Sequence, residues 1–194
     1  DQEDGKSCGL LGLLYANGEG APKDLVKASE NFQKACSLKD AAGCLQIGIM
    51  YYQGQGVQKD LKKARDFFSQ ACTFESPAGC GNFGLMLYSG EGGAEDKAEA
   101  AKIFDKACQA NDGLSCSNLA LMSLNGDGVA KDLEKGKQLM EKSCQLNHPA
   151  GCMNLGNMYK NGVGTVKDCT KAKQFYEKSC KIDKSFGGCE ATCP

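Results

Sequence analysis

Residues 43–79 read GCLQIGIMYYQGQGVQKDLKKARDFFSQACTFESPAG, and this stretch decides the fold because it is one copy of a unit that recurs along the chain. Cysteines stand at 8, 44, 80, 116 and 152, and again at 36, 72, 108, 144 and 180, so both ladders climb in steps of 36 residues. A fixed period of that size marks a solenoid. The unit is filled in at nearly every structural position. Four residues after the first cysteine come Gly12, Gly48, Gly84, Ala120 and Gly156. Ten and twelve after it come the pairs Gly18/Gly20, Gly54/Gly56, Gly90/Gly92, Gly126/Gly128 and Gly162/Gly164. Sixteen after it is always Asp, at 24, 60, 96, 132 and 168. The twentieth position holds Ala28, Ala64, Ala100, Gly136 and Ala172, and the twenty-fourth Phe32, Phe68, Phe104, Met140 and Tyr176.

These positions translate into helices. Leu11 and Leu14, Ile47 and Met50, and Phe83 and Met86 recur at helical spacing and give the first helix of each unit an apolar stripe. A small residue one step along the stripe lets a neighbouring helix come close. The glycine pair adopts positive φ cheaply and ends that helix. The Asp that follows is an N-cap for a second helix, whose apolar face is Leu25, Ala28, Phe32, Ala35 and their equivalents. Each helix of roughly 12 to 15 residues is about 20 Å long. The helix pairs fall at about 7–39, 43–75, 79–111, 115–147 and 151–183, with a tail at 184–194. The expected fold is all-α: an α/α solenoid, a right-handed superhelix of five disulfide-stapled 36-residue helix-pair repeats, forming one domain over 1–194.

A net charge of −1 with mixed signs argues against a nucleic-acid surface. No apolar run approaches the roughly eighteen residues of a membrane span. The opening DQEDGKS is polar and acidic, unlike a signal peptide, yet 13 cysteines point to an oxidising compartment. The expectation is a secreted or periplasmic chain whose signal peptide has been removed.

Two pairings fit the ladders. One bridges a unit internally, as Cys8 to Cys36, and the other clips one unit to the next, as Cys36 to Cys44. Loop-closure entropy gives roughly 3 to 4 kcal/mol for the longer loop and about 2.5 for the shorter, which does not decide. The chain's end does: after the fifth unit, KIDKSFGGCEATCP has no further first-helix pattern, yet Cys189 is present. The expected bridges are therefore Cys36–Cys44, Cys72–Cys80, Cys108–Cys116, Cys144–Cys152 and Cys180–Cys189. Cys8 then lacks a partner, which would lie upstream of residue 1 and suggests a chain that starts mid-array. Cys169 replaces Leu25, Leu61 and Leu133 and reads as a buried free thiol, with a Cys169–Cys193 bridge as the alternative.

Zinc wants ligands two to four residues apart and usually histidine, whereas these cysteines are separated by seven residues and the one histidine is His148. No metal or cofactor is expected. His148 takes the place of Asp40, Ser76 and Asp112 and reads as a solvated loop residue, which makes it a poor base for nucleophilic catalysis. The segments NGEG, QGQG and NGVG lack phosphate-loop spacing and recur at every first-helix end, so they read as structural. What remains is a surface. First-helix positions off the core stripe are expected on the concave side, and they form a ladder: Gln46, Asn82, Asn118, Asn154; Ile49, Leu85, Leu121, Asn157; and Tyr52, Gln53, Tyr88, Ser89, Asn125, Asn161. Amides donate and accept, while Tyr and Leu add apolar area, a combination suited to an extended backbone or a carboxylate. The candidate ligand-binding residues are Tyr52, Asn82, Tyr88, Asn118, Asn125, Asn154 and Asn157. Alternatively, the Asn ladder ties neighbouring first helices together.

The patterns SCxxLGxxYxxGxG and KDxxKAxxFxxKAC, joined by C-x7-C, resemble Sel-like repeats, relatives of the tetratricopeptide repeat. The cysteine ladder narrows this to a resemblance to the Helicobacter cysteine-rich protein family, over residues 7–189. The resemblance implies a secreted α/α-repeat protein with bridged C-x7-C pairs, agreeing with the pairing above. It also implies host or partner interaction, and penicillin binding with slow β-lactamase activity. Protein or peptide partners are therefore expected, alongside a peptidoglycan fragment or β-lactam. The chain departs from the pattern at Leu87 and Ser123, where Tyr15, Tyr51 and Tyr159 stand elsewhere, and at Gly136; these affect packing, not architecture. It contains no Ser-x-x-Lys, Lys-Thr-Gly or Ser-Asp-Asn, so no catalytic residue is assigned on chemical grounds.

Overall fold

The computed structural model describes residues 2–185. Among them are ten helices: α1 (Gln2–Asn17), α2 (Leu25–Ser37), α3 (Ala41–Gln53), α4 (Leu61–Thr73), α5 (Pro77–Ser89), α6 (Lys97–Gln109), α7 (Gly113–Asn125), α8 (Leu133–Gln145), α9 (Pro149–Asn161) and α10 (Cys169–Ile182). Odd-numbered helices are the first of each pair and even-numbered helices the second. The chain divides into two compact units, Asp1–Asp96 with α1–α5 and Lys97–Pro194 with α6–α10.

Local chemistry sets the helix ends. Asp24, Asp60, Asp132 and Asp168 each accept from a backbone N–H three residues on, capping α2, α4, α8 and α10. Gly54, Gly90, Gly126 and Gly162 take the left-handed conformation that stops α3, α5, α7 and α9. The second glycine of the pair has a further reason to be there. A Cβ on Gly92 would run into the Leu61 carbonyl at the start of α4, and one on Gly56 into that of Leu25. In the second unit Gly128 meets Lys97 and Gly164 meets Leu133 in the same way. These turns therefore touch the preceding pair through backbone, whereas Gly20 has nothing within 4 Å.

The small residue of the first helix makes room for an aromatic ring of its own pair. A Cβ on Gly48 would sit 2.7 Å from the Phe68 ring, and one on Gly156 2.7 Å from Tyr176. In the first unit the core gathers Ala28, Phe32, Ile47 and Met50, joined by Ala64, Phe68 and Met86. In the second it gathers Ala120, Met140, Leu155, Met158 and Tyr176. The departures noted in sequence are absorbed by packing. The Asp96 N–H bonds the Leu87 carbonyl and the Asp132 N–H the Ser123 carbonyl, as Asp60 does with Tyr51, so the turn survives loss of the tyrosine. At Gly136 a Cβ would fall 2.6 Å from the Leu124 side chain, so the missing methyl is the space that Leu124 fills.

The expectations for Leu11, Leu14 and His148 need correction. Leu11 and Leu14 were assigned to a core stripe, but they remain 43% and 42% exposed, whereas Ile47 at the equivalent position is fully buried. Ile47 is covered by the pair before it, and among the described residues no pair precedes α1. His148 is not a solvated loop residue. It is half-buried at the N-cap of α9, makes no side-chain cap bond, and its Nδ1 is buried without a hydrogen-bond partner. Burial disfavours the imidazolium and lowers its pKa, against an opposing pull from the Asp112 charge.

Four disulfides join the second helix of one pair to the first helix of the next: Cys36–Cys44, Cys72–Cys80, Cys108–Cys116 and Cys144–Cys152, with Cα–Cα distances of 4.3 to 4.6 Å. The expected Cys180–Cys189 bridge and the Cys169–Cys193 alternative involve residues outside those described. Cys8 and Cys169 are free thiols, and Cys169 is half-buried rather than buried.

Candidate ligand-binding face

In the first unit α1, α3 and α5 lie side by side, and the face they share carries two clefts. The cleft between α3 and α5 has a volume of about 350 Å³. Phe68 and Met86, both buried, form its base, and Ile49 and Leu85 its apolar walls. Asn82, Gln53, Tyr52 and Glu91 bring polar groups to it. The Glu91 carboxylate lies beside the Tyr52 hydroxyl, and its hydrogen-bonding pull and negative charge raise the Tyr52 pKa. The Lys59 ammonium lies over the Tyr52 ring, 5.7 Å from its centroid. The cleft between α1 and α3 measures about 360 Å³ and is lined mainly by Leu10, Leu13, Phe32 and the small residues Gly9, Ala42 and Gly43. Lys6, Asp40 and Gln46 complete it, and the Asp40 carboxylate is occupied by capping the Gly43 N–H.

The structure thus brings two of the seven candidate residues, Tyr52 and Asn82, into one cleft. Tyr88 is half-buried further along α5. In the second unit Asn118 and Asn154 are half-buried on α7 and α9, and Asn125 is exposed at the end of α7. The Asn118 Nδ2 is buried with no partner, so it does not tie its helix to a neighbour. Asn157 is committed elsewhere: its Oδ1 accepts from the Tyr176 hydroxyl at 2.8 Å, an anchor within its own helix pair.

Sequence reasoning missed Glu91, Leu10 and Leu13. Glu91 sits between the two glycines of a turn read as purely structural, and only the approach of that turn to α3 places its carboxylate beside Tyr52. The available signal was the acid recurring at this step of the period, as Glu19, Glu91 and Asp127.

The comparisons with known proteins agree with this architecture. The Sel1 repeat model matches residues 5–40, 41–73, 78–112, 113–148 and 149–183. Among solved structures, c5321, described as a protective antigen of uropathogenic Escherichia coli with an SLR fold, is 28% identical with a TM-score of 0.85. The match covers 93% of this chain but 38% of c5321, so the chain spans well under half of that relative. A Sel1 repeat protein from Oxalobacter formigenes, 22% identical over 94% of this chain and 72% of its own, shares the fold with a TM-score of 0.89. Helicobacter pylori cysteine rich protein B is 34% identical over 68% of this chain and 93% of its own, with a TM-score of 0.53. No curated protein sequence matches the chain. Five matched repeats, disulfides at each described junction and identity to a cysteine-rich relative lead to one conclusion: the chain belongs to the Sel1 repeat family.

Proposed function

We propose that this chain is an exported recognition scaffold that holds an extended peptide or protein segment on its first-helix face. Sel1 repeats commonly bind proteins, which sets the class. The observation that carries the reading is the pair of clefts on one face of the first unit, each with an apolar base and polar groups at hand. Such clefts take side chains, while amides such as Asn82 and Gln46 serve a main chain. Disulfides between repeats suit an oxidising compartment, and no described helix is long and apolar enough to cross a membrane.

β-Lactam hydrolysis, implied by the cysteine-rich resemblance, gains no comparable support. The buried Ser123, Ser143 and Ser179 hydroxyls all donate to backbone carbonyls, and Ser117 donates to the Met140 sulfur. A nucleophilic serine needs a base instead.

The test is capture of a partner from envelope and host extracts with the oxidised protein, followed by affinity measurement against variants. Leu85→Glu is expected to weaken binding at least tenfold, and Lys102→Glu, on the exposed side of α6, to leave it unchanged. Equal binding by both variants would move the ligand off this face.

A further inference from the structure

The two clefts differ in charge, and that difference specifies an occupant. Glu91 is the one formally charged residue lining the cleft between α3 and α5. Its carboxylate lines the cleft together with the apolar side chains of Ile49 and Leu85 and lies beside Tyr52, whose pKa its negative charge raises. A long aliphatic stem ending in a cation fits this arrangement, because lysine and arginine bury their methylenes while the charged head seeks an acceptor. In the cleft between α1 and α3 the Lys6 ammonium offsets the Asp40 carboxylate, whose Oδ1 also caps the Gly43 N–H, and Leu10, Leu13 and Phe32 make the lining largely apolar.

Geometry supplies the spacing. Neighbouring packed helices lie about 9 Å apart. Averaged over the two helices that line each cleft, the residues of the α3–α5 cleft sit some five positions further along the repeat than those of the α1–α3 cleft, roughly 8 Å at 1.5 Å per residue. The diagonal is about 12 Å, which an extended chain at about 3.3 Å per residue crosses in three to four residues.

We propose that the α3–α5 cleft takes the lysine or arginine side chain of an extended peptide whose large apolar residue, three or four positions away, fills the α1–α3 cleft. This rests on the reading of the first-helix face as the binding surface, and the experiment separates the two. Random twelve-residue peptides displayed on phage are selected on the immobilised oxidised protein, and the enriched sequences are synthesised and their affinities measured. The expected sequences carry Lys or Arg three or four residues from Leu, Ile, Met or Phe. Their affinity falls about tenfold with Glu91→Gln, and selection on Glu91→Lys loses the basic residue. Circular dichroism and thermal melting confirm that each variant is folded. Peptides without a basic residue that still lose binding with Leu85→Glu overturn the Glu91 assignment and leave the face intact. Peptides indifferent to Leu85→Glu, or a selection that yields no binders, overturn the face itself.

Discussion

At the scale of single residues, the second glycine of each turn serves conformation and contact at once, and the two roles are separable. Gly92 and Gly20 share nearly the same positive φ, 71° and 74°, but only Gly92 faces a carbonyl. Gly20→Ala is expected to cost about 1 kcal/mol for the left-handed backbone alone. Gly92→Ala must also displace Leu61, and a loss of about 3 kcal/mol in chemical denaturation is expected. Equal losses would mean that the contact contributes nothing. Ser115 offers a gain instead. It is fully buried, its hydroxyl has no partner, and it stands where Gly43, Gly79 and Gly151 stand in other repeats. Ser115→Ala removes the unsatisfied group, and stabilisation of about 1 kcal/mol is expected in the same assay.

At the scale of the helix, α9 starts without the side-chain cap that Asp40, Ser76 and Asp112 give α3, α5 and α7. Because burial lowers the folded-state pKa of His148 below its ordinary value of 6.5, the unfolded chain binds more protons as the pH drops. Stability from this residue is complete above about pH 6.5 and is lost as the pH falls toward the folded-state pKa. The segment Ser76-Pro77-Ala78-Gly79 matches His148-Pro149-Ala150-Gly151 except at the cap. His148→Ser is therefore expected to add about 1 kcal/mol and to flatten the slope of melting temperature against pH below 6.5. An unchanged slope would show that another group carries it. Helix existence, ends and pairing were legible because Gly, Asp and the apolar positions repeat in register, so each local preference is stated five times. The burial of His148 is not legible in the sequence because it comes from packing against the start of α7 at Gly113, where a Cβ would fall 2.8 Å from the histidine Cβ. The binding face was half legible for the same kind of reason. Tyr52 and Asn82 stand out as unusual surface residues, but Glu91 joins them only through the fold of a turn thirty-nine residues further on than Tyr52.

Across the whole molecule, stability has no single centre to draw on, so the junctions between helix pairs carry much of it. Each disulfide closes a short loop, and losing one by Cys72→Ser with Cys80→Ser is expected to cost about 2.5 kcal/mol. Such closure also holds neighbouring first helices at the spacing on which the clefts depend, through Cys36–Cys44 for α3 and Cys72–Cys80 for α5. Loop-closure entropy does not separate the two connectivities, whereas Cys189 after the last pair does, and the choice between them is what makes this a covalent chain of pairs rather than a stack of separately closed hairpins. The most direct test is a disulfide map of the purified protein, digested at acid pH without reductant after alkylation of free thiols. Cys36, Cys72, Cys108 and Cys144 should be linked to Cys44, Cys80, Cys116 and Cys152 respectively, with alkylation at Cys8 and Cys169. Fragments linking Cys44 to Cys72 or Cys80 to Cys108, or alkylation at any of the eight paired positions, would contradict it.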